Sequence, residues 1–226
     1  MRGLFITATD TDVGKTEVAV AIARRWRREG RAFAVCKPVA TGAVGPIADD
    51  TRRLGLAAGD EDFDAITPFV FAEPVAPPVA ARLAGRTLTL GELSAAVLRR
   101  MTRGGAALVE GVGGLLCPLT DTETVADLVS GLDLGLIVVA RRGLGTLNHT
   151  LLTLEVARLR GLRVLGVIVN ETAPVTGAAD RSNVEELTRR LIVPILGVIP
   201  HRPGGYGEEI PALAGIDWWS LAESRI

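Results

Sequence analysis

Lysine is almost missing from this chain. Of its 25 Lys plus Arg positions, only Lys15 and Lys37 are lysines. A composition so biased to arginine keeps lysine where a compact, rotatable point charge is required and a planar fork would not fit. Both lysines are therefore candidate functional residues. Cysteine is scarce too: Cys36 and Cys117 stand far apart and match no metal spacing, so they read as small core residues in a reducing cytoplasm. Histidine occurs twice, at 149 and 201, and neither lies beside a serine or cysteine in a nucleophile motif, so no histidine-activated protein nucleophile is expected. The net charge is −1, so neither nucleic acid nor an anionic membrane is expected as a partner. No apolar segment reaches 18 residues, and the N-terminus opens directly on a short apolar strand, so no transmembrane helix and no secretory leader are expected. What is present is 226 residues, 48% hydrophobic and 23% charged, which suits one globular domain over residues 1–226 with a substantial core.

The chain is organised around residues 8–16, Ala-Thr-Asp-Thr-Asp-Val-Gly-Lys-Thr. Residues 3–7 are short and apolar, as a buried strand is. Residues 17–28 place apolar side chains at 18, 21, 22 and 26, the spacing of a helix. Strand, small polar loop, Gly-Lys-Thr and helix form the context of a phosphate-binding P-loop. In such a loop, successive backbone N–H groups and the helix N-terminus hold phosphate oxygens, Lys15 reaches the outer phosphates, and the Thr16 hydroxyl ligates Mg²⁺. The plain alternative is an ordinary strand-to-helix turn that happens to hold Gly-Lys-Thr; order, spacing and flanks favour the P-loop. The slot five residues before Gly14 is Thr9 rather than glycine, so the loop is a variant.

Residues 32–36 read as the second strand, and Lys37-Pro38-Val39-Ala40-Thr41-Gly42 leaves its C-terminal end. Ligands of open parallel sheets sit outside the carboxyl ends of the strands, so Lys37 and Thr41 are expected on the P-loop side. Residues 49–56 read as a short helix in which Asp49 and Asp50 are either first-turn residues or metal ligands. Prolines at 68, 74, 77 and 78 make residues 60–79 irregular; residues 79–83 and 89–103 read as helices. Residues 106–110 are a hydrophobic strand ending on Glu110, followed by Gly111-Val112-Gly113-Gly114. That is a Walker-B-like arrangement with Glu in place of Asp: an acid at the P-loop edge of the sheet, then glycines that let backbone approach phosphate. A carboxylate buried there without a cation would be costly, which favours metal binding. Helices at 122–130, 147–160 and 180–191 alternate with strands at 134–140, 163–170 and 195–199, the second ending on Asn170 and the third just before Pro200. Trp218-Trp219 reads as a packed C-terminal segment rather than a membrane anchor. The alternation predicts an α/β fold, a single three-layer domain with a mostly parallel sheet flanked by helices, of P-loop NTPase type.

Six stretches stand in order: Thr9-Asp10-Thr11-Asp12-Val13-Gly14-Lys15-Thr16; Lys37-Pro38-Val39 with Thr41-Gly42; Phe71-Ala72-Glu73-Pro74; Val109-Glu110-Gly111-Val112-Gly113-Gly114; Leu144-Gly145-Thr146-Leu147-Asn148-His149; and Val169-Asn170. Through them the chain resembles the dethiobiotin synthetase family along most of its length. The resemblance implies closure of a ureido ring on 7,8-diaminononanoate with CO₂, taken as a carbamate, and MgATP, the penultimate step to biotin. It implies nucleotide contacts from Asp12, Val13, Gly14, Lys15, Thr16, Glu17, Asp50 and Glu110, and from Gly111, Val112 and Gly113. Asn170, Glu171, Pro200, His201 and Arg202 would hold the adenine side. Thr16, Asp50 and Glu110 would hold Mg²⁺, and Lys15 and Lys37 would be the catalytic cations that neutralise γ-phosphate and carbamate. The diamine would meet Thr11, Asp12, Lys37 and Thr41. Its carboxylate would meet Gly145, Thr146, Leu147 and Asn148 of the neighbouring subunit, making a homodimer with two composite sites. Two departures show: Ala8 where the family usually has glycine, and Asp12 where glutamate is common.

Rival readings are weaker. A ParA- or MinD-like partitioning ATPase carries a signature lysine in the slot that Asp10 fills, and needs a DNA- or membrane-binding surface that the charge balance does not offer. A glutamine-dependent cobyrinic acid synthetase would need a glutaminase domain, and a nitrogenase-reductase-type ATPase would need bridging cysteines unlike Cys36 and Cys117.

Overall fold

The computed structural model describes residues 2–207 and 209–223. Strand β1 (Gly3–Ala8) is followed by helix α1 (Lys15–Arg28), β2 (Ala34–Cys36), β3 (Val39–Ala40), α2 (Asp49–Ala58), α3 (Phe63–Ile66), β4 (Phe69–Val70), α4 (Pro77–Leu83) and α5 (Leu90–Gly104). Then come β5 (Ala107–Glu110), α6 (Val125–Leu132), β6 (Gly135–Arg141), α7 (Thr146–Leu159), β7 (Val164–Asn170), α8 (Ala178–Arg190) and β8 (Ile195–Ile199). A 3₁₀ turn, Pro211–Leu213, and α9 (Trp218–Glu223) complete the described chain.

Among the described residues the main sheet has the order β2-β5-β1-β6-β7-β8, every neighbouring pair parallel. β1 builds both halves of the core. Its Leu4, Ile6 and Ala8 are buried with Val18, Ile22 and Trp26 of α1, whereas Phe5 is buried with Leu93 and Val97 of α5 and with α6. That is the period-two alternation of a strand covered by helices on both sides. With β1 central, the loop that leaves it and the ends of β2 and β5 open on one edge, where parallel sheets bind ligands. Trp218 and Trp219 of α9 pack on the α1 side, Trp219 edge-on to Trp26 at 5.4 Å, as expected of a packed C-terminal segment.

Two regions differ from the sequence expectation. Residues 60–79 are not irregular throughout: Asp62 caps α3 by accepting from the Ala65 N–H, and β4 pairs with β3 in a separate two-stranded parallel sheet. Two-residue strands carry no readable periodicity. α4 begins at Pro77 rather than 79, because a proline in the first helical turn gives up an N–H that has no partner there anyway. α6 starts at Val125 rather than 122, with Thr124 and Asp127 forming its capping box.

Candidate active site

The turn after β1 is shaped for close approach. Asp12 has φ 55° and Gly14 φ 101°, a left-handed geometry that aspartate tolerates better than most non-glycine residues. A Cβ on Gly14 would stand 2.2 Å from Asn170 Nδ2, so glycine is required there for two reasons. Gly14 caps α1 without a side-chain hydrogen bond. Lys15 Nζ curls back to donate to the Asp10 carbonyl at 3.1 Å. Burial pushes the Lys15 pKa below the ordinary lysine range, against the opposing pull of Glu110.

Three elements bring a charged cluster to that turn. Lys37 leaves β2 with its N–H donated to the Ile66 carbonyl, Asp50 opens α2, and Glu110 ends β5. Lys37 Nζ donates to Asp50 Oδ2 at 2.5 Å and to Glu110 Oε1 at 2.7 Å. The Thr16 hydroxyl donates to the same Glu110 oxygen at 2.7 Å. Lys37 is 4% exposed and Glu110 1%. Burial disfavours the Lys37 ammonium, but the Glu110 and Asp50 carboxylates outweigh it and raise its pKa. Asp50 shows the mirror case: burial alone would raise it, and Lys37 and Thr16 hold it below the ordinary aspartate range. Glu110 Oε2 is buried without a hydrogen-bond partner among the described residues. Two carboxylates and a hydroxyl, with one oxygen unsatisfied, are a donor set for a hard divalent cation.

These groups line a cavity of about 450 Å³. Of the residues expected at the site, Thr11, Asp12, Gly14, Lys15, Thr16, Glu17, Lys37, Thr41, Asp50, Glu110, Val112, Gly113 and Asn170 line it. Ala40, Arg53 and Thr172 line it as well and were not expected; Arg53 is one turn beyond Asp50 on α2 and looked like any other arginine of a surface helix. Val13 lies beneath the loop, its carbonyl accepting from Asn170 Nδ2 at 2.9 Å, and Gly111 packs against Phe5. Glu171, Pro200, His201 and Arg202 do not line the cavity: Glu171 takes a hydrogen bond from Arg142 Nη1, and its Oε2 accepts the His201 N–H at 2.9 Å, which ties that segment to the end of β7. Gly145, Thr146, Leu147 and Asn148, at the start of α7, do not line this cavity.

A P-loop turn after the central strand of a parallel sheet, with a lysine, a hydroxyl and a strand-end acid converging on it, defines a P-loop nucleotide-binding α/β protein. A family model described as an AAA domain matches residues 2–206. More narrowly, the chain belongs to the family of ATP-dependent dethiobiotin synthetases. It is 45% identical over 204 residues to the ATP-dependent dethiobiotin synthetase BioD of Anaeromyxobacter dehalogenans (strain 2CP-C), covering 90% of this chain and 92% of that protein. It is 37% identical over 202 residues to the enzyme of that name from Bacillus licheniformis, covering 88% and 86%. Among solved structures, the MinD cell division protein of Aquifex aeolicus shares the fold with a TM-score of 0.56 at 15% identity, over 98% of this chain and 95% of that one.

Proposed function

We propose that this chain is an ATP-dependent dethiobiotin synthetase, which carboxylates 7,8-diaminononanoate with CO₂ and closes the ureido ring to dethiobiotin, releasing ADP and phosphate. The observation that carries the chemistry is Lys37, a buried ammonium beside the P-loop lysine and bonded to two carboxylates. Phosphoryl transfer to an oxygen acceptor needs positioning and charge neutralisation, with no protein nucleophile, and no histidine lines the cavity. The nucleophile then comes from the substrate. A carbamate oxygen attacks the γ-phosphorus as the bond to ADP breaks, and the second amine attacks the resulting activated carbonyl, expelling phosphate and losing its proton. Lys15 and Lys37 offset the charge on the transferring group and the carbamate. Asp12, at the turn's lip, meets the amines, and Thr41 meets the substrate end of the cavity. Mg²⁺ suits the oxygen set of Thr16, Asp50 and Glu110, where it would neutralise charge on the β- and γ-oxygens. Asn170 and the segment of Glu171, Pro200, His201 and Arg202 would hold the adenine. One domain over 1–226 carries the nucleotide and metal part of the site.

A homodimer completes the reading. The substrate's carboxylate lies several methylenes from its amines, and the start of α7 would bind it across a twofold axis from the partner's P-loop. Free cysteines suit a cytoplasmic setting, and among the described residues no helix is long and apolar enough to cross a membrane. The test is phosphate release with diaminononanoate and bicarbonate, and the product's mass. Release that depends instead on DNA or lipid vesicles would favour a MinD- or ParA-like switch, whose fold this chain shares.

A further inference from the structure

We infer that Arg53 is a third phosphate-binding cation of this site, and that Glu17 is the carboxylate that competes with the nucleotide for it; the inference rests on the nucleotide reading above. Three cations line the cavity, Lys15, Lys37 and Arg53. Four carboxylates line it too: Asp50 and Glu110, which both bond Lys37, and Asp12 and Glu17. A metal-bound nucleoside triphosphate stays net negative, and more so beside a carbamate, so every lining cation is needed. Arg53 is paired with Glu17, outside the Asp50–Glu110 cluster, so it can turn to that charge without disturbing the cluster. It stands one helical turn after Asp50 on α2, and both Asp49 and Asp50 act on it electrostatically. Its fork of N–H donors matches phosphate geometry.

The partner of Arg53 explains how the residue is held ready. Nη2 donates to Glu17 Oε1 at 2.5 Å, and Glu17 follows Thr16 in the first turn of α1. Both side chains are about one-third exposed, 38% and 33%. An ion pair this wet contributes little to stability, and α1 and α2 already meet through Val18, Ile22 and Leu54 in the core. The pair is thus a poor structural staple but a readily exchanged one: a phosphate oxygen can replace the Glu17 carboxylate on the same guanidinium.

The two roles separate by sign. Both Arg53→Gln and Glu17→Gln break the ion pair. Calorimetric titration of each with a non-hydrolysable ATP analogue and Mg²⁺ should show Arg53→Gln binding roughly tenfold more weakly and Glu17→Gln binding about two- to fivefold more tightly. Arg53→Lys, which keeps the charge and protects against a misfolded glutamine variant, should fall between Arg53→Gln and wild type. Equal weakening in Arg53→Gln and Glu17→Gln, or unchanged affinity in Arg53→Gln, overturns the inference. The titration needs no diaminononanoate. A wild-type protein that binds no MgATP analogue sinks both readings, whereas binding without diaminononanoate-dependent turnover sinks the synthetase reading and leaves Arg53 standing.

Discussion

Lys37 is held by two carboxylate oxygens at 2.5 and 2.7 Å on nearly closed surroundings, a space that suits one ammonium and not a planar fork. Lys37→Arg keeps the charge yet should lower turnover at least a hundredfold, about 2.7 kcal/mol at the transition state. Steady-state kinetics decide it; near-normal turnover would mean that a point charge is not needed there. Glu110→Gln is close to isosteric but leaves the buried Lys37 ammonium with one carboxylate fewer, so some thermal stability is lost; turnover should fall far more, by a factor similar to that of Lys37→Arg, and the Mg²⁺ requirement should shift upward. Asp49 and Asp50 were inseparable in the sequence, being adjacent acids at a helix start. The structure turns Asp50 into the cavity and leaves Asp49 exposed, so Asp50→Asn should be severe and Asp49→Asn nearly silent in the same assay. The scarcity of lysine pointed to Lys15 and Lys37, and both line the cavity. The same contrast hid Arg53, because an arginine among so many others carries no compositional signal, and only the fold shows which one reaches the site.

The P-loop made the start of α1 legible, and the reading from 89 fits α5, which Thr89 caps with Glu92. At α6 the sequence reading began at 122, three residues before the start that Thr124 and Asp127 set with their capping box. The β3–β4 pair was not legible, since two-residue strands are set by backbone partners: Phe71 N–H to Ala40 O, Ala43 N–H to Phe71 O and Gly42 N–H to Glu73 O. These bonds tie the stretch of Phe71 and Glu73 to the loop carrying Thr41, which gives that sequence motif a positioning role. At α6 the cap yields a pH prediction. The hydrogen bond from the Thr124 hydroxyl holds the Asp127 carboxyl below the ordinary aspartate range, and the Thr124 N–H and Arg160 add to it. With the folded pKa depressed, the stabilisation is fully present above the ordinary aspartate value and is lost as pH falls through the folded one. Asp127→Asn should therefore cost about 1 kcal/mol at neutral pH, and the gap from wild type should close in acid unfolding curves below the ordinary aspartate range. A gap that stays constant through acid would assign the effect to packing.

At the scale of the molecule, the start of α7 stands apart from the nucleotide cavity. Gly145 caps it at φ 91° with no side-chain bond, and Thr146 is turned inward beside Thr150. Around it, Leu144, Leu152 and Leu116 are exposed at 83%, 57% and 53%. An apolar groove of about 210 Å³ runs between the segment of Gly114 to Cys117 and the α7 residues Leu152, Thr153 and Val156. That face adjoins the P-loop through Thr9 and Gly114, and it is where the homodimer proposed above would seat its second copy. Complementation tests this. Lys15→Ala removes the P-loop cation, and Asn148→Glu puts a repelling charge on an exposed position of the α7 start, which is safer than altering buried Thr146. Each variant alone should be inactive. After co-refolding in equal amounts, about half the dimers are mixed, and each mixed dimer holds one site built from an intact P-loop and an intact α7 start. Activity should then recover to about a quarter of wild type. If every site lies within one chain, the mixture stays as inactive as its parts, and the carboxylate must be bound by residues other than those at the head of α7.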